Sequence, residues 1–369
     1  MIFECLQEYL NKGLGTVVRA VPVKGSLPVL SNVLITAESG KVKLTATNLD
    51  TVISVILGAS VQEEGSITVP AKMFYEFVSN LDSGKLLISS EKNILNITSF
   101  PKSKAKFNGM SAIEFPEIPS VKESSKYIQI SPKILSNLVS HTHFSSSPDV
   151  TRPVLTGTLI NFSDSKLNFV TTDGFRLSEK SLPLEGDFKE FTVVAPTKTL
   201  LDVSKIFSNS DDLISVVYNQ EDNLLFFQSG DTSVAIRVID GNFPDYKRII
   251  PSTNTFRAEL KSSELQNAVK LTNVFSKEAN SPVKIEFSEE GILRVYSNTQ
   301  DSGEHVSEFE GTVVGGPLTL SFNSKYLTDF LNNIKAEDLI IESNGGVTPA
   351  VFKSESLENF IHIIMPMKI

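Results

Sequence analysis

The sequence predicts an α+β chain in which one folding unit occurs three times, each copy with two helices and alternating strands. Three observations predict it. Segments that open like helices recur about 125 residues apart. A second helix candidate precedes each of them by about 65 residues, and strand-like runs recur at matching places. Identity between the copies is low, so the period rests on pattern.

The first helix candidate of each copy covers Glu4 to Ala20, Ser131 to Ser145, and Lys261 to Phe275. The strand runs that follow are Val42 to Thr47, Leu167 to Thr172, and Leu293 to Asn298. In the first, Val42, Leu44 and Ala46 alternate with Lys43, Thr45 and Thr47, the period of a strand with one apolar face. The second helix candidates begin at Val69-Pro70-Ala71-Lys72 and run to Leu81, at Val194-Ala195-Pro196-Thr197-Lys198 and run to Phe207, and at Phe322-Asn323-Ser324-Lys325 and run to Ile334. Pro, Thr, Asn and Ser are residue types that start helices, and apolar residues follow at spacings of three and four. Lys72, Lys198 and Lys325 each fall in a first turn, where the helix dipole favours anions. A small cost repeated three times points to a use outside the helix.

A chain of 369 residues suits two or three domains of about 100–150 residues each. With 40% hydrophobic and 21% charged residues it is an ordinary globular composition, and no apolar run reaches the roughly 20 residues a membrane helix needs. The opening Met1-Ile2-Phe3-Glu4-Cys5 lacks a signal-peptide pattern. The single cysteine, Cys5, cannot form an internal disulfide, and a cytoplasmic location is expected. Cys5 reads as a small buried residue of the first helix. A net charge of −9 argues globally against nucleic acid, yet the helix candidates sum to positive. Charge alone favours the plainer reading, in which the lysines solvate exposed helix faces.

Catalytic constellations are missing. There is no phosphate-binding glycine loop, no paired-histidine zinc motif, no Cys-x-x-Cys and no Gly-x-Ser-x-Gly. His141 and His143 point to different faces of a helix, so no metal site or cofactor is expected. Asp173, in Thr172-Asp173-Gly174 between strand-like runs, reads as a tight turn. An enzyme assembled from scattered acids such as Asp173, Asp240 and Asp245 is the rival from another class.

Five segments together are similar to the bacterial sliding clamp family, the beta subunits of the replicative polymerase. They are Leu27-Pro28-Val29-Leu30-Ser31-Asn32, Leu44-Thr45-Ala46-Thr47-Asn48-Leu49, Thr172-Asp173-Gly174-Phe175-Arg176-Leu177, Asp240-Gly241-Asn242-Phe243-Pro244-Asp245-Tyr246 and Met365-Pro366-Met367-Lys368-Ile369. Their order, spacing and the chain length extend the resemblance over the whole sequence. It implies three clamp domains, 1–121, 126–251 and 255–369, in a head-to-tail homodimeric ring with helices lining the hole. The implied function is a non-catalytic processivity factor that encircles duplex DNA without reading its sequence. The implied partners are the polymerase alpha subunit, the clamp loader delta subunit and other proteins with a clamp-binding motif. The alternative is a three-domain protein scaffold that does not act on DNA.

The resemblance places DNA contacts at Lys24 and Arg152. Lys72, Lys198, Lys205 and Lys325 are added from the helix reading. The implied peptide groove comprises Leu155, Thr172, Gly174, Phe175, Arg176, Leu177, Pro244, Arg248, Ile249, Val347, Ile363, Met365, Pro366, Met367 and Ile369. Methionines suit a surface that accepts several peptides, with Arg176 and Arg248 framing its polar end. Phe175 stands where a histidine is common and Pro349 where a small polar residue is typical, so peptide preference is expected to differ. Lys102, Lys104 and Lys106 alternate on one strand, with Phe107 beside them. The implied dimer contact sets this edge against Asp301, Glu304 and Glu308, with Val274 and Phe275 as apolar partners of Phe107.

Overall fold

The same order of elements occurs three times: a strand, a helix, four or five strands, a second helix and three strands. The structure is a computed structural model and describes residues 1–23, 25–99, 103–121, 127–163, 165–184, 190–279, 282–299 and 303–368. Its helices are α1 (Gln7–Val17), α2 (Ala71–Ser79), α3 (Pro132–Thr142), α4 (Thr197–Phe207), α5 (Ser262–Ala279) and α6 (Ser324–Asn333). Each coincides with an expected segment. The expected strand runs appear as Lys41–Thr47, Lys166–Thr172 and Ile292–Thr299.

The chain packs as two compact units. One holds Met1–Lys133 with Asp202–Val238, the other Ile134–Leu201 with Ile239–Ile369. The first unit contains a five-stranded sheet and an eight-stranded sheet. In the larger sheet, the last strand of the second repeat, Thr232–Arg237, lies antiparallel on Thr51–Gly58 of the first, with Val234 opposite Ile53. Among the described residues, the five-stranded sheet ends at Ser103–Asn108, which has one strand neighbour. α1 lies close on the strands because Gly13 has no side chain. A Cβ there would stand 2.9 Å from Leu57 and 3.0 Å from Leu44. Leu10, Leu14 and Val17 on the same helix are fully buried, each burial contributing about 1.5–3 kcal/mol.

The second unit contains a nine-stranded and a four-stranded sheet. Here the last strand of the third repeat, Phe360–Ile364, pairs antiparallel with Arg176–Pro183 of the second, Ser178 facing His362. The four-stranded sheet ends at Gly303–Glu310, again with one neighbour. A phenylalanine-rich core of Phe287, Phe322, Phe330 and Phe352 fills the third repeat. A smaller cluster of Leu159, Val170, Leu177, Val194, Tyr246, Val351 and Ile363 lies where Arg176–Pro183 meets Phe360–Ile364.

Three expectations need correction. Glu4, Cys5 and Leu6 belong to a strand, Ile2–Leu6, paired with Lys85–Glu91, and the helix begins only at Gln7. The alternate burial of Phe3 and Cys5 is a two-residue period that the helical pattern masked. Cys5 is buried as expected but on that strand, and burial pushes its thiol up to about 12. Phe107 is not beside the lysines in space. Alternation on Ser103–Asn108 exposes Lys104 and Lys106 and turns Phe107 inward, where it is 4% exposed. Its ring meets Phe74 and Phe77 edge-on, at 5.1 and 5.5 Å between centroids. It is therefore part of the core of its own unit, with little of the ring left exposed for an outside contact. Phe107→Ala is expected to destabilise the first unit by about 3–5 kcal/mol. The check is urea unfolding, with a lower midpoint; an unchanged midpoint contradicts this packing.

Candidate functional site

The turn between Lys166–Thr172 and Arg176–Pro183 organises the site. Gly174 has φ +95°, which a side chain would strain. Asp173 closes the turn: its Oδ1 accepts from the amides of Phe175 (2.9 Å) and Arg176 (3.0 Å). The Thr172 hydroxyl donates to the Arg176 carbonyl at 2.7 Å and accepts from the Gly174 amide at 3.1 Å. Asp173 is thus a turn former, as the sequence indicated.

Arg176 departs from expectation. Its side chain is 5% exposed and does not frame an open end. Nε donates to Asp173 Oδ2 at 3.0 Å and Nη1 to Asp329 Oδ2 at 2.8 Å. Its guanidinium carbon lies 4.6 Å over the ring of Tyr326. A buried guanidinium is tolerable only when charge and hydrogen bonds are met together, and two carboxylates meet them here. Burial, then the nearby Asp173 charge, raises the Tyr326 pKa, so that hydroxyl stays neutral. Sequence reasoning did not assign Asp329 or Tyr326 to this place. The only hint was their position on a helix whose first turn carries Lys325.

The chain leaving Phe360–Ile364 passes the same turn. Met365 N–H donates to the Phe175 carbonyl at 2.8 Å, and Met367 N–H to the Ser321 carbonyl at 2.7 Å. Leu177 and Ile363 are fully buried in the apolar cluster below. Phe175, Met365 and Met367 stand above it, 59%, 36% and 43% exposed. Ile249 and Val347 are also exposed apolar residues, Ile249 on the turn Tyr246–Ile249 and Val347 on the turn before Ala350–Lys353. Leu155 is half-buried in the turn Pro153–Thr156, whose Val154 packs on the cluster. Tyr246 anchors the Pro244 segment. Its hydroxyl donates to Glu179 at 3.0 Å and accepts from Asn168 at 3.0 Å, while burial and Glu179 raise its pKa. Pro244 is exposed, and Arg248 is exposed and paired with Asp245 at 2.6 Å. Pro366 is half-buried, and Ile369 lies outside the described residues.

Lys72 on α2, Lys198 and Lys205 on α4 and Lys325 on α6 are all exposed. Lys325 is held by Asp329 at 2.8 Å, whereas the others have no carboxylate partner among the described residues. Arg152 is half-exposed and paired with Asp149 at 3.0 Å. Its Nη1 lies 3.6 Å from where a Cβ on Gly174 would stand, so it flanks the turn that carries Phe175. Lys24, Lys102 and Asp301 lie outside the described residues, as does the side chain of Glu304. Glu308 is paired with Arg294 at 2.6 Å. Val274 is 66% exposed, and Phe275 stacks on His305 at 5.8 Å. Among the described residues no cluster of His, Cys, Asp or Glu has the geometry to hold a metal ion, and no helix is long and apolar enough to cross a membrane.

Beneath the site lies His362, fully buried and stacked on Phe330 at 4.6 Å between centroids. Its Nδ1 is 2.8 Å from the Ser178 hydroxyl. Burial, and then the Arg176 charge, hold its pKa well below the ordinary 6.5. The unfolded chain gains a proton as pH falls through 6.5, and the folded chain does not. The stabilisation is therefore complete above that pH and declines below it, by about 1.4 kcal/mol per pH unit for one proton. Melting of the wild type is expected to fall between pH 7.5 and 5.5, and His362→Leu to flatten that fall. A midpoint that rises on acidification contradicts the assignment.

Comparison with known proteins gives this geometry a family. The N-terminal, central and C-terminal domains of the DNA polymerase III beta subunit match residues 1–119, 129–245 and 247–368. The beta sliding clamp of Synechococcus elongatus is 29% identical over 372 residues, covering 99% of this chain and 98% of the relative. That of Staphylococcus epidermidis is 26% identical over 378 residues, covering 100% and 99%. The solved DNA polymerase sliding clamp from Bacillus subtilis superimposes with a TM-score of 0.95 at 25% identity, covering 100% of this chain and 99% of that one. The DNA polymerase III subunit beta from Pseudomonas aeruginosa gives 0.93 at 26% identity, covering both chains fully. Matched domain by domain along nearly its whole length, and sharing the three-repeat fold, the chain belongs to the DNA polymerase III beta subunit family, the beta sliding clamps.

Proposed function

We propose that this chain is a DNA sliding clamp: two copies close head to tail into a ring that encircles duplex DNA and tethers replication proteins to it. The observation that carries the reading is the pairing rule of the repeats. The last strand of the second repeat pairs with Thr51–Gly58 of the first, and the last strand of the third pairs with Arg176–Pro183 of the second. These two receiving strands occupy the same place in their repeats, and the equivalent strand of the third is Gly303–Glu310. The last strand of the first repeat is Ser103–Asn108. Among the described residues both are sheet edges. A second copy satisfies both at once, and unpaired edges otherwise invite indiscriminate pairing. Lys104 and Lys106 are exposed on one edge, Val306, Glu308 and Glu310 on the other, so opposite charges guide the closure. The domains are taken as 1–121, 126–251 and 255–369. The resemblance adds Lys102 and Asp301, which lie outside the described residues, and Val274 and Phe275 on the third-domain side.

DNA is held by enclosure. Lys72, Lys198, Lys205 and Lys325, with Lys24 and Arg152, offer phosphate attraction and no base readout, and screening over about 8–10 Å keeps that attraction weak. The exposed Phe175, Met365 and Met367 above a buried apolar floor accept a short peptide, with Leu155, Pro244, Arg248, Ile249, Val347, Pro366 and Ile369 around it. The polymerase alpha subunit and clamp loader delta subunit are the expected sources of such peptides. A scaffold without DNA function would share the groove but not the retention.

With a clamp loader and ATP present, the protein is expected to remain on nicked circular plasmid and to run off after linearisation. Equal loss from both forms defeats the enclosure reading. Replacing Lys72, Lys198, Lys205 and Lys325 together by glutamate is expected to shorten the lifetime on circles in a salt-dependent way. An unchanged lifetime removes them from the lining. A Gln-x-Leu-x-Phe pentapeptide is expected to bind at about 1–10 µM, weakened about tenfold or more by Met365→Ala with Met367→Ala. Titration with no loss in that double variant would place the peptide elsewhere.

A further inference from the structure

Arg176 is too buried to exchange its partners for water, so whatever holds its guanidinium also fixes the turn it belongs to. One carboxylate is local. Asp173 takes Arg176 Nε on Oδ2 while its Oδ1 holds the amides of Phe175 and Arg176. The second comes from far along the chain, Asp329 on α6, which accepts Nη1 at 2.8 Å. The pull of Asp329 on the guanidinium is therefore passed through Asp173 to the backbone of Phe175. The Phe175 carbonyl in turn receives the Met365 amide.

We propose that Asp329 is a positioning residue of the peptide groove, acting through Arg176 to fix the Phe175 turn and the Met365 segment against it. The proposal rests on the peptide-groove reading above. Asp329 touches no predicted groove residue except Arg176 in the contacts described, and its other side-chain partner is Lys325, which is 70% exposed and keeps access to water without it. The hydrogen bond from Asn333 goes to the Asp329 main-chain carbonyl, which a side-chain substitution leaves intact. Asp329→Asn keeps the shape and removes the charge. It leaves Arg176 buried with one carboxylate, and the turn loses its charged tie to α6 while keeping the Tyr326 ring against the guanidinium.

The test uses the full chain and a fluorescent Gln-x-Leu-x-Phe pentapeptide. Asp329→Asn is expected to raise the peptide Kd about tenfold. Amide hydrogen exchange in the free protein is then compared for wild type, Asp329→Asn, Arg176→Gln and the double variant. Exchange at residues 172–177 and at Met365 is expected to quicken in Asp329→Asn, with α6 amides unchanged. In the Arg176→Gln background the second substitution is expected to add nothing. An unaltered Kd, exchange that quickens throughout α6, or an additive effect in the double variant each overturns the proposal. Failure of the wild type to bind peptide sinks the groove reading itself, while the exchange comparison still decides whether Asp329 holds the turn.

Discussion

Strand pairing between repeats is the constraint on which the other features rest. A sheet edge left open inside a repeat protein is a hazard, and here the last strand of one repeat covers an edge of the one before it. The arrangement also creates the candidate groove. Because Phe360–Ile364 is registered on Arg176–Pro183, the chain that leaves it at Met365 must pass the turn Thr172–Phe175. The apolar floor of Leu177, Ile363 and Val351 belongs to the same junction. A peptide site of this kind is a by-product of joining two repeats through a strand and stopping the strand at an open turn.

What makes that site usable is the division between a rigid frame and a soft rim. The frame is polar and buried: Arg176 between Asp173 and Asp329, Tyr246 between Glu179 and Asn168, His362 against Ser178. Each group is costly to bury unless its partners are in place, so each fixes a geometry. The rim is apolar and adaptable. Met365 and Met367 have unbranched, polarisable side chains that repack around different anchors, and Phe175 supplies a broad flat wall. Directional bonds below and non-directional contacts above would suit the proposed groove to several peptides.

The helices were legible because their periodicity is local, and so was the Thr172-Asp173-Gly174 turn, whose chemistry lies within three residues. Strand Ile2–Leu6 was not, because its partners lie near Leu86 and Ser60 and its five residues merge with the helix that follows. The inward packing of Phe107 was hidden for a related reason. Strand alternation places it opposite Lys106, but which face is core depends on Phe74 and Phe77 on a helix about thirty residues earlier. Arg176 was expected to frame an open polar end, and its side chain is instead buried between carboxylates. Its burial is set by Asp329 and Tyr326, which no local pattern connects to it.

In the proposed clamp, the lysines of the second helices would let an acidic chain accommodate a polyanion. Lys72, Lys198 and Lys325 occupy first-turn positions that the helix dipole disfavours. A cation recurs there in all three repeats against the helix dipole, and the proposed lining would give it a use outside the helix. The attraction is also tempered. Asp329 binds Lys325, and Asp202 lies 3.6 Å from Arg19. Strong, evenly exposed positive charge would fix DNA in one place through counterion release, and that would oppose movement along the duplex. In the proposed ring, a few solvated lysines, some shared with carboxylates, would leave the phosphates attracted but unread and unfixed. Holding by closure and attraction without grip are then two halves of one requirement, because a surface that bound tightly would have no need to close.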